Sequence, residues 1–173
     1  MSKSMLKLIA ALLLTSMSLG GPAVALQLTD LSKVDTKALA GKWSAKPEGS
    51  NRLVLSCGDC RGLTAIDVQL SKAPAGMEDR VRAGKTTAQT MLDICRKNAA
   101  KSGTECYGLK KSNLKSAVGF VSDVKISDNI YANTYTLYQD DQLLLMRCIA
   151  GSRAEAKRIG ALAFQKIAPQ IVR

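Results

Sequence analysis

The chain of 173 residues contains no histidine, and aromatic residues make up only 4% of it. Without histidine there is no Ser-His-Asp or Cys-His catalytic group, no zinc hydrolase site of the usual kind and no histidine pH switch. The shortage of aromatic side chains leaves little to stack on the bases of a single-stranded nucleic acid. The composition therefore excludes several common classes of enzyme, and we do not expect nucleic acid as a partner.

Only one long apolar run occurs, near the start of the chain, and it is too short to span a membrane. Met1–Lys7 carries two lysines and no acid, Leu8–Leu19 is almost wholly apolar, and Ala23–Ala25 forms a small-x-small site. This order predicts a secretory signal peptide over residues 1–25; the alternative is an uncleaved N-terminal anchor. We expect residues 26–173 to form a single α+β domain with no transmembrane segment, located in the periplasm or secreted.

Basic residues outnumber acidic ones by 25 to 14, and removal of the two lysines of the signal peptide lowers the net charge from +11 to +9. Such a charge favours an anionic partner, either an unidentified protein or an anionic component of the cell envelope. The alternative is that the basic residues only keep the surface solvated. They are spread along the chain in small groups, and the candidates for anion binding are Arg80, Arg82, Lys85, Lys110, Lys111, Arg153, Lys157 and Arg158.

The spacing of apolar residues predicts three helices. Leu28–Ala40 and Thr86–Ser102 carry apolar residues at helical spacing, and each is followed by a glycine that can end a helix. Ser152, with a glutamate three residues later, predicts the start of a third helix that runs to Ile167. Ala73–Lys85 contains one proline and two glycines and is predicted to be a loop.

Alternating and β-branched residues predict the strands of a sheet. The predicted strands are Arg52–Cys57, Leu63–Leu70, Ala117–Ile126, Tyr131–Gln139 and Gln142–Ile149, with a further short strand at Tyr107. Because short turns join consecutive strands, the sheet should be antiparallel. We therefore expect an α+β fold in which an antiparallel β-sheet of about five or six strands is covered by two or three helices.

The order of these elements resembles the Mog1/PsbP-like fold. The similarity rests on Trp43 before the first strand pair, on the helix opened by Gly84–Thr87, and on the strand Leu143–Ile149 running into the helix Ser152–Ile167. It covers Trp43–Val172 as an order and spacing of elements, without a diagnostic motif. The resemblance implies a non-catalytic binding or assembly module, and it supplies no site residues.

Five cysteines follow the signal peptide, and disulfide bonds are the default in an oxidising compartment. Because five is odd, at least one thiol is free or paired with another molecule. Cys95 falls on the inward stripe of its predicted helix, and Gly103 turns the chain so that Cys106 can return to it. Cys95 and Cys106 are therefore the favoured pair. Cys148 is then the odd thiol or a partner of one of the remaining cysteines, Cys57 and Cys60.

The segment Cys57–Cys60 has the sequence Cys-Gly-Asp-Cys and allows three interpretations. A redox-active pair needs its first cysteine at the start of a helix, but both flanking segments are strand-like. A zinc knuckle needs two further ligands, which in a chain without histidine would be cysteines or carboxylates. A structural disulfide is the favoured interpretation.

These observations predict an exported, non-catalytic binding or envelope-accessory protein with disulfide bonds and a basic surface. The alternative is a thiol-redox or metal-binding protein that acts through Cys57 and Cys60. We expect no cofactor, no resident metal and no catalytic residue.

Overall fold

The computed structural model describes residues 29–173, so the predicted signal peptide lies outside the described residues. Within residues 29–173, no helix is both long and apolar enough to span a membrane. In this described part of the chain, seven strands form one sheet in the order β1-β2-β3-β7-β6-β5-β4, and every neighbouring pair is antiparallel. The α+β class and the antiparallel sheet are thus confirmed, but the predicted number of strands was too low.

The strands are β1 (Trp43–Pro47), β2 (Arg52–Cys57), β3 (Thr64–Lys72), β4 (Glu105–Leu114), β5 (Ala117–Ser127), β6 (Ile130–Gln139) and β7 (Gln142–Ala150). The helices are α1 (Met77–Arg82), α2 (Ala88–Ser102), α3 (Arg153–Lys166) and the single turn α4 (Ala168–Ile171). The segment with α1 and α2 carries the chain from the middle of the sheet, at β3, to its far edge, at β4.

The two strands that the sequence did not indicate clearly are the two edges of the sheet. In β1, four of the five residues are exposed, so no apolar alternation marks the strand. β4 spans ten residues where only a short strand at Tyr107 was predicted, and it includes a register shift between Cys106 and Gly108. An edge strand pairs on one side only and needs less apolar surface, which hides it from a search for buried alternation.

Two further predictions were wrong. Leu28–Ala40 was predicted to be a helix, but its described part consists of two short 3₁₀ turns that follow Asp30 and Asp35. Each aspartate accepts a hydrogen bond from the backbone two residues later, which stabilises a turn rather than a continuous helix. Ala73–Lys85 was predicted to be a loop, yet it contains α1, whose Val81 is buried.

The sheet has two covered faces. The face under α3, called here the α3 face, carries the larger core, which includes Leu55, Ile66, Met146 and Ile159. The opposite face, called the back face, carries a smaller core around Phe120 where α1 and α2 lie. In α2 only Ala99 is buried and Cys95 is half-buried, so the predicted inward stripe of this helix lies against the edge strand β4 and the smaller core and is less buried than expected.

Candidate functional site

A cavity of about 450 Å³ lies on the α3 face, where α3 leaves the outer strands β4 and β5 uncovered. The register aligns Gly108, Asp123 and Asn133 across β4, β5 and β6, and it aligns Lys110, Val121 and Tyr135 in the next row. Gly108 contributes no side chain, and a Cβ placed there would meet nothing within 4 Å. We call this cavity the α3 pocket; it is lined by Gly108, Leu109, Lys110, Val121, Ser122, Asp123, Asn133, Tyr135, Arg153, Lys157 and Ala161.

A buried carboxylate lies at the centre of the α3 pocket. The residue is Asp123, only 6% exposed, and its Oδ2 accepts from Arg153 Nε at 2.6 Å and pairs with Lys157 Nζ at 3.2 Å. The two cations are four residues apart on α3, a spacing that puts both on one face of the helix. Asp123 Oδ1 is buried without a hydrogen-bond partner among residues 29–173. Both cations therefore converge on one oxygen.

The guanidinium of Arg153 is held from a second side by an aromatic ring. The register shift in β4 brings Tyr107 to this position, and its ring centroid lies 4.3 Å from Arg153 Cζ. Such a cation–π contact restrains the plane of the guanidinium. Arg153 uses only Nε in the hydrogen bonds found within residues 29–173, so its two terminal nitrogens face no protein acceptor there.

The net charge of the α3 pocket is positive. Lys110 is exposed at the rim, and none of the salt bridges within residues 29–173 involves it. Together with Arg153 and Lys157 it supplies three positive charges against the single negative charge of Asp123. The site is therefore poised to accept additional negative charge.

Apart from Ser122 and Asn133, the rest of the α3 pocket is lined by apolar residues and Tyr135, and neighbouring contacts hold it in place. Val121 is buried, and the ring of Tyr135 stacks on Phe164 of α3 with centroids 4.5 Å apart. Burial raises the pKa of Tyr135, so its hydroxyl is kept neutral. A Cβ at Gly160 would overlap the side chain of Asn133, so this glycine lets α3 approach the sheet closely beside the site. These contacts fix the distance between helix and sheet.

The structure does not bring the whole predicted anion-binding set together. Lys110, Arg153 and Lys157 meet in the α3 pocket, while Arg80, Arg82, Lys85, Lys111 and Arg158 lie elsewhere. Arg82 pairs with Glu78 at 2.6 Å, and Arg158 pairs with Glu155 at 2.7 Å. Lys111 follows Lys110 in β4, and consecutive residues of a strand point to opposite faces of the sheet, so it projects from the back face.

The Cys-Gly-Asp-Cys segment forms a closed turn at the end of β2. Cys57 and Cys60 are joined by a disulfide with their Cα atoms 5.6 Å apart, and no helix begins at either residue. Asp59 Oδ1 lies 3.3 Å from Cys57 Sγ and accepts a hydrogen bond from the backbone of Lys42 at 3.0 Å. The three donor groups lie within 4.8 Å of one another, but metal binding through sulfur needs thiolates, which the disulfide removes.

The other three cysteines have structural positions. Cys95 of α2 is bonded to Cys106 of β4, with Cα atoms 6.1 Å apart, and the bond fastens the helix to the edge strand. Cys148 is free and buried under α3, and burial raises the pKa of its thiol to about 12. It is thus the odd thiol and not a partner of Cys57 or Cys60.

Comparison with known proteins was informative at the level of structure only. No family model matches the chain, and no curated protein matches its sequence. The solution structure of the cyanobacterial PsbP protein CyanoP from Synechocystis sp. PCC 6803 superposes with a TM-score of 0.52 at 14% sequence identity. The match covers 81% of this chain and 90% of that one. The fold is PsbP-like. The resemblance inferred from the order of elements is therefore confirmed for the fold.

Several residues of the α3 pocket could not be identified from the sequence. Asp123 is a single acid within the apolar strand β5, and that isolation was the available signal for a buried charge. Asn133 gave no comparable signal, because β6 also contains Thr134, Thr136 and Gln139; its Nδ2 donates to the Ser122 carbonyl at 3.2 Å. Tyr107 gave no signal, because its position depends on the register shift in β4.

Proposed function

We propose that this PsbP-like protein is an exported, non-catalytic accessory protein that binds an anionic partner through the α3 pocket. The observation that carries the proposal is that Arg153 and Lys157 of α3 pair with one buried carboxylate inside a cavity that Lys110 of β4 also lines. A solvated basic surface has no need of such an arrangement. A concave site with an apolar wall and a few placed polar groups is the usual form of a ligand-binding site.

Two observations support an extracytoplasmic location. The sequence pattern of residues 1–25 is that of a secretory signal peptide, which would direct export, and two disulfides are expected to persist only where the surroundings are oxidising. The periplasm satisfies both conditions. The PsbP-like fold is compatible with an accessory role of this kind.

The proposal is tested with two matched pairs of variants. Lys110→Gln changes the α3 pocket, whereas Lys111→Gln removes the same charge from the next residue, which projects from the back face. Lys157→Gln removes an ammonium that touches Asp123, whereas Arg158→Gln removes a cation of the same helix that pairs with Glu155. Within each pair the change in net charge is identical. Any difference in binding must therefore come from the local contact.

The probe is anilinonaphthalene sulfonate, a fluorescent anion with an apolar body, titrated at low and at physiological salt. We expect Lys110→Gln and Lys157→Gln to weaken binding by roughly tenfold to a hundredfold, as the loss of one hydrogen bond between charged groups implies. The control variants should stay within about twofold of the wild type. Equal weakening by all four variants would show that only the overall charge matters and would contradict the proposal.

The alternative, thiol-redox or metal chemistry at Cys57 and Cys60, has less support. A redox-active cysteine needs a stabilised thiolate, and the carboxylate of Asp59 beside Cys57 Sγ disfavours one. No helix dipole compensates at this turn. Rapid exchange of the Cys57–Cys60 bond with glutathione, measured by mass spectrometry, would support the thiol-redox alternative.

A further inference from the structure

The charges of the α3 pocket indicate what kind of anion it takes. Lys110, Arg153 and Lys157 carry three positive charges and Asp123 carries one negative charge. Apart from Tyr135, which burial keeps neutral, no other ionisable side chain among residues 29–173 lines the cavity. The sum is two positive charges, which a monoanion leaves half compensated and a dianion neutralises. The site therefore matches a ligand group with two negative charges.

The hydrogen-bond donors of the site match a group with three terminal oxygens. Arg153 is engaged through Nε alone, and the ring of Tyr107 restrains its guanidinium plane, so its terminal nitrogens are pre-oriented. The Lys157 ammonium has three protons and meets one acceptor, Asp123 Oδ2. The Lys110 ammonium makes no salt bridge within the described part of the chain. Arginine and lysine arranged in this way are the usual ligands of phosphate oxygens.

The apolar part of the cavity indicates that the ligand is larger than the charged group. Val121, Ala161 and the ring of Tyr135 line the cavity beside the cations. The bare backbone at Gly108 leaves further space. A volume of about 450 Å³ exceeds what a free phosphate ion fills. An apolar body attached to the phosphate would cover this surface and gain from its burial.

We infer that the α3 pocket binds a phosphate monoester carried on an apolar body. The inference rests on the proposed function, because it names the chemical class of the anion that the same site takes. Asp123 acts as the internal counter-ion. Its Oδ2 orients Arg153 and Lys157, and its charge lowers the positive charge of the site to the value that a dianion balances. The apolar body is either a small soluble group or the tail of a lipid.

The inference has a consequence for the dependence of binding on pH. The charged and titratable groups that face the ligand are Lys110 from β4, Asp123 from β5, Tyr135 from β6, and Arg153 and Lys157 from α3. None is a histidine, the side chain whose ordinary pKa lies between pH 5 and 8. A phosphate monoester, in contrast, changes from dianion to monoanion near pH 6. Any pH dependence of binding near pH 6 should therefore follow the protonation of the ligand and not that of a protein side chain.

The test uses calorimetric titration of the mature chain with phenyl phosphate, benzoate and inorganic phosphate at about pH 7.5 and about pH 5. Phenyl phosphate should bind at least about tenfold more tightly than either comparison compound at the higher pH. Its affinity should fall about tenfold at the lower pH, because roughly a tenth of it is then dianionic. The affinity for benzoate, which stays a monoanion at the higher pH and largely so at the lower, should change much less.

Two further comparisons identify the source of the phosphate and distinguish failure of this inference from failure of the proposed function. Vesicles with phosphatidic acid, a monoester, are compared with vesicles with phosphatidylglycerol, a diester of one charge. Preference for phosphatidic acid assigns a lipid ligand; binding of phenyl phosphate without vesicle binding assigns a soluble one. If benzoate binds as tightly as phenyl phosphate at both pH values, the inference is overturned while anion binding stands. If Lys157→Gln and Arg158→Gln bind every probe equally, the proposed function itself fails.

Discussion

The close approach of β5 and β6 yields a sharp prediction about stability. A Cβ at Gly119 would overlap the carbonyl oxygen of Thr136 and would lie 2.9 Å from its carbonyl carbon and 3.0 Å from Leu137 Cα. All three atoms belong to the backbone of β6, so no change of side-chain rotamer relieves the contact. Gly119→Ala must therefore push apart two paired strands in register at Gly119 and Leu137.

The expected cost combines two effects. Forcing one extra carbon into a packed interior costs roughly 1–3 kcal/mol. Weakening one ladder hydrogen bond adds about 1 kcal/mol. Gly119→Ala should thus lower the free energy of unfolding by about 2–4 kcal/mol, a large part of the total of a domain of this size.

The assay is urea unfolding followed by circular dichroism, with Gly108→Ala as the matched control. Gly108 is also a strand glycine, but a Cβ there meets nothing within 4 Å, so its substitution should change stability by no more than about 0.5 kcal/mol. If Gly119→Ala is as stable as the wild type, β5 and β6 do not approach each other this closely. The register of the two strands beneath the α3 pocket would then also be refuted.

The cysteines give two further predictions. Replacing both Cys95 and Cys106 by serine should lower the free energy of unfolding by about 3 kcal/mol. Replacing both Cys57 and Cys60, which close a shorter loop, should lower it by about 2 kcal/mol. Denaturant unfolding of the two double variants checks which loss is larger. Cys148 has its thiol pKa raised by burial to about 12, so above about pH 9 the unfolded chain loses a proton that the folded chain retains. Stability should then fall with rising pH by up to about 1.4 kcal/mol per unit, and the same slope in Cys148→Ala would contradict that assignment.

Local signals in the sequence were sufficient to predict much of the core architecture. Ser152 starts α3, and its side chain accepts a hydrogen bond from the Glu155 backbone as the spacing indicated. Gly103 ends α2 with a positive φ of 68°. Asp140 and Asp141 turn the hairpin between β6 and β7 with positive φ values of 51° and 58°, as the two-residue link required. Each of these features depends on residues close together in the chain.

The features that the sequence did not reveal depend on distant contacts. The edge strands β1 and β4 are held by a neighbour on one side and carry little apolar pattern. The helix α1 has only six residues, too few for a periodic pattern to be recognised. Its place in the fold is set by Val81, which is buried against the back face.

The α3 pocket was predictable only in part. Lys110, Arg153 and Lys157 were among eight basic candidates, but no sequence pattern separated them from Lys111 or Arg158. Arg153 and Lys157 meet at Asp123, which is 30 positions before Arg153 in the chain and contacts it only because α3 crosses the sheet. An ion pair between a buried strand carboxylate and an exposed helix cation so far apart in the chain has no local signature.

The most direct measurement of the central claim is a titration of isotopically labelled protein with phenyl phosphate, followed by the backbone amide signals in nuclear magnetic resonance. The account predicts that the largest shifts occur at Lys110, Ser122, Asp123, Asn133 and Lys157, which line the α3 pocket. Shifts centred instead on α1, with its basic residues Arg80 and Arg82, or spread evenly over all basic residues, would contradict it.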